Sequence, residues 1–159
     1  MARARWCKGL AAALQLAPWA TGSAVQRVAA KAGRLRGTGD LVVPARSRVV
    51  LLLDQSYLTN AYAVLETTGG AGSTIRLTYA EALQDGAGRK GKRDEIEGKT
   101  ILGITDVFRP DGGERRRFQT LWFRTYRYVE LAVETADEPL RIHDLHGIFT
   151  AYPFEEKAR

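Results

Sequence analysis

From residue 40 onward the chain carries no long helical period, and this limits its fold more than any other feature. Short apolar and β-branched segments alternate instead with turn signals. Residues 49–53 are wholly apolar, as a buried strand is. Residues 61–67 follow and end at Gly69-Gly70-Ala71-Gly72. Residues 74–81 alternate: Ile75, Leu77, Tyr79 and Glu81 share one face, and Thr74, Arg76, Thr78 and Ala80 the other. Residues 84–99 are polar and glycine-bearing and read as a long loop. Further strands are expected over 101–108, 117–123, 126–134 and 139–151, with a hairpin-type turn at Asp111-Gly112-Gly113. Seven or eight short strands predict an all-β fold, an antiparallel β-sandwich of the jelly-roll or Greek-key kind.

Charge divides the chain in two. Residues 1–39 hold seven basic side chains and no acid, whereas the remaining 17 basic and 18 acidic residues nearly cancel. The body therefore carries no net signal for nucleic acid, and the overall charge of +6 resides in the N-terminal segment. That segment is expected to be irregular or partly helical. Arg3, Arg5 and Lys8 precede an Ala/Leu-rich run over 9–20 and small residues up to Ala24. This order reads either as a secretory signal peptide cleaved after Ala24, which implies export, or as a loose basic tail on a cytoplasmic protein. Gly33, Gly37 and Gly39 form a joint, so the domain boundary is placed between 39 and 40, with the β domain running over 40–159. No apolar run has the ~18 residues of a spanning helix, so no membrane partner is expected. Cys7 is the sole cysteine, which excludes an intrachain disulfide.

Few residues offer chemistry. Glu81 lies on the apolar face of its strand at the strand's end, where a carboxylate needs a partner. Arg124 and Arg127 are the natural candidates, because a guanidinium grips a carboxylate with two parallel bonds. Asp94 and Asp106 read as loop-fixing residues, since Asp bonds nearby backbone N–H groups. Glu95 and Glu97 read as solvated loop charges. His143 and His146, three apart on a strand, face opposite sides unless a bulge intervenes, so no metal or cofactor site is expected. Serine and histidine are too scarce to suggest a Ser-His-Asp arrangement, and no catalytic residue is assigned. Gly69-Gly70-Ala71-Gly72-Ser73-Thr74 leads into a strand pattern and is read as a tight turn, not a phosphate loop. The basic runs 89–93 and 115–117 lack interleaved aromatics and read as solvated.

The segment 121–131 holds four aromatic rings and two guanidinium groups in eleven residues. Alternation allows about half of its rings to face one surface, either as a sugar-stacking platform or as core.

Taken in order, several segments resemble the concanavalin-like β-sandwich domain of bacterial α-L-rhamnosidases. These are Leu51-Leu52-Leu53-Asp54, Thr78-Tyr79-Ala80-Glu81-Ala82-Leu83, Gly91-Lys92-Arg93-Asp94, Asp106, and Phe123-Arg124-Thr125-Tyr126-Arg127-Tyr128-Val129-Glu130-Leu131. Tyr152-Pro153-Phe154 resembles the exit toward the next domain. The resemblance spans residues 41–157. It implies a sandwich that precedes a six-hairpin α/α barrel, which in that family carries the catalytic carboxylates and inverts configuration at the rhamnose. The chain stops at Arg159, where the barrel would begin, so it is expected to be inactive alone. Glu81, Arg93, Asp94, Arg124 and Arg127 match the family's motif residues and, with Asp106, are carried over as structural, domain-contact or ligand candidates. The partners implied are the missing barrel and rhamnose-containing carbohydrate. The alternatives are a free-standing lectin-like carbohydrate-binding module and an oligomerising scaffold.

Overall fold

The computed structural model describes residues 40–153. The basic segment 1–39, with its signal-peptide and tail readings, lies outside the described residues, as does Phe154 of the expected exit motif. The described part is all β: β1 (Leu41–Val43), β2 (Arg48–Gly69), β3 (Thr74–Ala80), β4 (Ile104–Phe108), β5 (Arg116–Gln119), β6 (Arg124–Glu134) and β7 (Leu140–Phe149). All pairings are antiparallel, in the order β1-β7-β2-β6-β3-β4, with β5 added to β2.

The 22 residues of β2 organise this network. Its first half pairs with β6, from Arg48 opposite Glu134 to Asp54 opposite Tyr128, and this pairing resumes briefly from Thr59 opposite Tyr126 to Ala61 opposite Arg124. Its second half pairs with β7 on one side and β5 on the other. A strand that changes partners midway builds the corner of a sandwich. One layer is therefore β2(first half)-β6-β3-β4, and the other is β1-β7-β2(second half)-β5. The two expected strands at 49–53 and 61–67 are thus one continuous strand. Its polar middle reads as a turn in sequence, but forms an irregularity between Asp54 and Thr59. There Asp54 Oδ1 accepts the Ser56 N–H at 2.7 Å, and Ser56 takes φ +73°, a left-handed conformation that strand pairing survives as a bulge.

Alternation fills the space between the layers. Val49, Leu51 and Leu53 meet Ala61, Ala63 and Leu65 from the other half of their own strand. Ile75, Leu77, Leu131, Leu140 and Ile142 complete a single core. Fully burying each large aliphatic side chain contributes about 2 kcal/mol. At the margin, Phe108 of β4 stacks on Phe118 of β5, with centroids 5.1 Å apart, and joins the layers. The Asp111-Gly112-Gly113 turn is therefore no hairpin. β4 pairs with β3 and β5 with β2, so the turn carries the chain from one layer to the other. The glycine turn behaves as expected: Ser73 N–H donates to Gly70 O at 3.0 Å, and β3 follows directly. Gly70 has φ +72°, and a Cβ there would lie 2.5 Å from Leu140 Cδ1.

Candidate functional site

The motif residues converge at one end of the sandwich, where β2 makes its corner, β3 ends and β6 begins. Arg127 is their hub. Its Nε and Nη2 donate to the two oxygens of Asp54 at 2.8 and 3.0 Å, and its Nη1 donates to Asp94 at 2.5 Å. The Arg127 and Asp54 side chains are only 14% and 12% exposed, whereas Asp94 is 86% exposed. The bond to Asp54 pushes the Arg127 pKa up against the opposing effect of burial. Asp54 therefore shapes the bulge through Ser56 and anchors Arg127 with the same carboxylate.

A second fork lies beside it. Arg124 Nε and Nη2 donate to Asp106 at 3.0 and 2.6 Å. Bonding to Asp106 raises the Arg124 pKa. Asp106 lies opposite Leu77 on the edge strand β4, on the core-facing side, which is why it needs a cation. The expected partnership of these arginines with Glu81 is not formed. The pairs bridge residues 73 and 18 positions apart, and Glu81, just past the end of β3, makes no hydrogen bond or ion pair among the described residues. Arg93 contributes its backbone rather than its charge: the Tyr128 hydroxyl donates to Arg93 O at 2.5 Å.

Those contacts pin the loop between β3 and β4, which also has internal supports. Asp85 accepts the N–H groups of Ala87 and Arg89 and pairs with the Arg89 guanidinium. Lys99, 10% exposed, donates to Lys90 O, Lys92 O and Glu95. Glu95 is thus a loop-fixing acid and not merely a solvated one.

Three tyrosines at this end are held as phenols. Burial pushes the pKa values of Tyr79, Tyr126 and Tyr128 up. The Tyr79 hydroxyl is buried without a hydrogen bond of good geometry, although the Asp106 carboxylate is near enough to raise its pKa further. A narrow crevice lies between the layers here, walled by Leu53, Ala63, Tyr126 and Leu145 together with Gln55 and His146. It has room for roughly one water, not for a sugar.

The rings of the 121–131 segment separate by position. Tyr126 and Tyr128 are buried in β6, as alternation plus a register irregularity at Arg127 allows. Leu121 and Trp122 precede the strand and stand 99% and 63% exposed. Trp122 stacks on Phe123 with centroids 5.2 Å apart at 28°, and Phe123 meets Tyr62 edge-on at 6.3 Å. Tyr57, Leu58, Phe149 and Tyr152 are further exposed apolar side chains. Tyr57 and Leu58 lie in the β2 corner, and Phe149 lies opposite Ala61, so this end has an apolar rim.

His143 lies in a hydrogen-bonded chain that the sequence conceals. A register shift opposite His143 supplies the bulge that alternation alone lacks. His143 Nε2 lies 2.7 Å from Thr68 Oγ1 and its Nδ1 3.0 Å from Asp40 Oδ1. Thr68 also accepts the Arg115 N–H at 3.0 Å, and Arg141 pairs with Asp40. Arg141 and then His143 lower the Asp40 pKa. The chain ties the start of β1 to β2 and β7. His146 instead takes Asp144 at 2.7 Å. Among the described residues, no three His, Cys, Asp or Glu side chains gather as a metal would require.

No protein-family model and no curated protein matches the sequence. Solved structures do. A GH78 family rhamnosidase of Bacillus sp. GL1 superposes with a TM-score of 0.53 at 19% identity, over 75% of this chain and 12% of that one. The lectin domain of lectinolysin, solved with Lewis B antigen, gives a TM-score of 0.41 at 13% identity over 70% and 72% of the two chains. A fucolectin from striped bass serum gives 0.36 at 11% identity over 69% and 36%. The chain therefore shares its fold with a domain-sized part of the rhamnosidase and spans only that 12% of its length.

Proposed function

We propose that residues 40–159 are a non-catalytic β-sandwich domain of an α-L-rhamnosidase-like glycoside hydrolase, supporting a catalytic α/α barrel. One observation carries this reading: the motif residues and the exposed apolar rim occupy the same end of the sandwich. Arginine forks hold the framework rigid there, and Leu121, Tyr57, Leu58 and Phe149 face outward. An exposed apolar rim suits a domain contact. The buried carboxylates are poorly placed for acid–base work, because Asp54 and Asp106 each have both oxygens gripped by a guanidinium. The order of the motifs and the rhamnosidase-like fold support the same reading.

The test is direct. The chain alone should show no turnover of an aryl α-L-rhamnoside, and should associate with a separately produced barrel of that family. Turnover by this chain that a Glu81→Gln substitution abolishes would overturn the reading. A second reading, a free-standing carbohydrate-binding module, is favoured by the exposed stack of Trp122 on Phe123. It predicts sugar binding without any association with a barrel.

A further inference from the structure

We infer that Trp122, Phe123 and Tyr62, with Asn60 and Thr125 beside them, form a stacking site for a neutral pyranoside on the outer face beside the β2 corner, where β2 and the start of β6 pair. The inference rests on the carbohydrate-related reading above, whether the domain is appended or free-standing.

A sugar platform needs an aromatic face that is both exposed and fixed. Trp122 is 63% exposed, yet its ring rests nearly parallel on Phe123, which Tyr62 braces from the edge. The ring ladder is ordered before any ligand arrives, so binding loses little side-chain freedom. Apolar C–H groups of a pyranose can cover such a face, while its hydroxyls need planar polar partners nearby.

Those partners occupy the adjoining row. Asn60 and Thr125 lie directly opposite each other in the β2–β6 pairing, and the Thr125 hydroxyl donates to Asn60 Oδ1 at 2.5 Å. This leaves the Asn60 amide N–H groups as donors and the Thr125 oxygen as an acceptor. Asn60 and Tyr62 are two residues apart on one strand, so they share a face at roughly 7 Å spacing. The Tyr62 ring and the Asn60 amide are thus about one hexose apart, and Phe123 and Trp122 extend the ring row outward from Tyr62. Phe123 precedes β6 and is placed by its edge contact with Tyr62. A nucleotide fits less well, because Arg124, the arginine between Phe123 and Thr125, is committed to Asp106.

The test titrates the full chain with methyl α-L-rhamnopyranoside and methyl β-D-glucopyranoside, following the Trp122 indole and Asn60 amide signals by NMR. Saturable shifts at both positions are expected with at least one sugar. Trp122→Ala should weaken binding about ten-fold, the scale of one aromatic contact. Asn60→Ala should also weaken it, while Tyr57→Ala, at the same end but off the platform, should not. Circular dichroism checks that each variant folds. Absence of saturable shifts, or shifts that survive Trp122→Ala, overturns the inference. The same variants are mixed with the barrel. If Trp122→Ala abolishes association and no sugar binds, the rings are a protein contact: the inference fails and the accessory-domain reading stands. If sugar binds but no barrel associates, the inference stands and that reading fails.

Discussion

The two ends of this sandwich place their charges and apolar groups in opposite ways. At the turn end, ionic groups lie in water: Arg46 and Asp137 pair at 2.8 Å with both side chains 81% exposed. One buried hydroxyl there is satisfied by backbone. The Thr135 hydroxyl donates to Pro44 O at 2.6 Å and accepts the Ser47 N–H at 2.8 Å. At the corner end, guanidinium and carboxylate are inside while Trp122, Leu121 and Tyr57 are outside. The turn end has what chain reversal requires. The corner end keeps buried charges and exposed rings that folding alone does not demand, which is the pattern expected where a site or partner is built onto a fold.

Substitutions can test this contrast, beginning with the largest effect. Arg127→Ala leaves Asp54 buried without its cation and should cost about 3 kcal/mol in chemical denaturation. A much smaller cost would mean that the corner end is wet and the contrast false. Thr135→Val, at the other end, leaves the Ser47 N–H and Pro44 carbonyl without a partner and should cost about 2 kcal/mol. Glu130→Gln tests the outer face of the first layer. Burial raises the Glu130 pKa, with Arg48 pulling it back. The folded state therefore holds its proton more tightly than the unfolded chain. The stabilisation linked to that proton is complete below the ordinary glutamate range and is lost as pH rises through the raised value. Glu130→Gln should accordingly raise the melting temperature at neutral pH and change it little in acid. Arg46→Ala should leave stability unchanged, because an exposed pair contributes little.

Much of the framework was legible because alternation is local. The 74–81 pattern yields β3 with the correct face inward, and the polar stretch 84–99 is a loop. The failures are nonlocal. The 54–60 stretch looks like a turn, and only the Asp54 bond to Ser56 and the resumed pairing at Thr59 reveal one strand. Alternation could not locate Trp122, because it governs rings only within a strand and β6 begins at Arg124. Glu81 stands out in sequence by its face, yet the arginines pair with Asp54 and Asp106, whose proximity only the folded pairing creates. The Asp40–His143–Thr68 chain is not legible in sequence because its hydroxyl belongs to a threonine and because the bulge at His143 departs from simple alternation.

Because β2 belongs to both layers, neither layer can melt while the other stays whole. Opening the first layer frees Val49 and Leu51, and the same covalent strand then loosens Ala63 and Leu65. Amide protons on either side of the corner should therefore exchange with solvent at one common slow rate, as a single cooperative unit. A cut within residues 55–58 should split that unit in two.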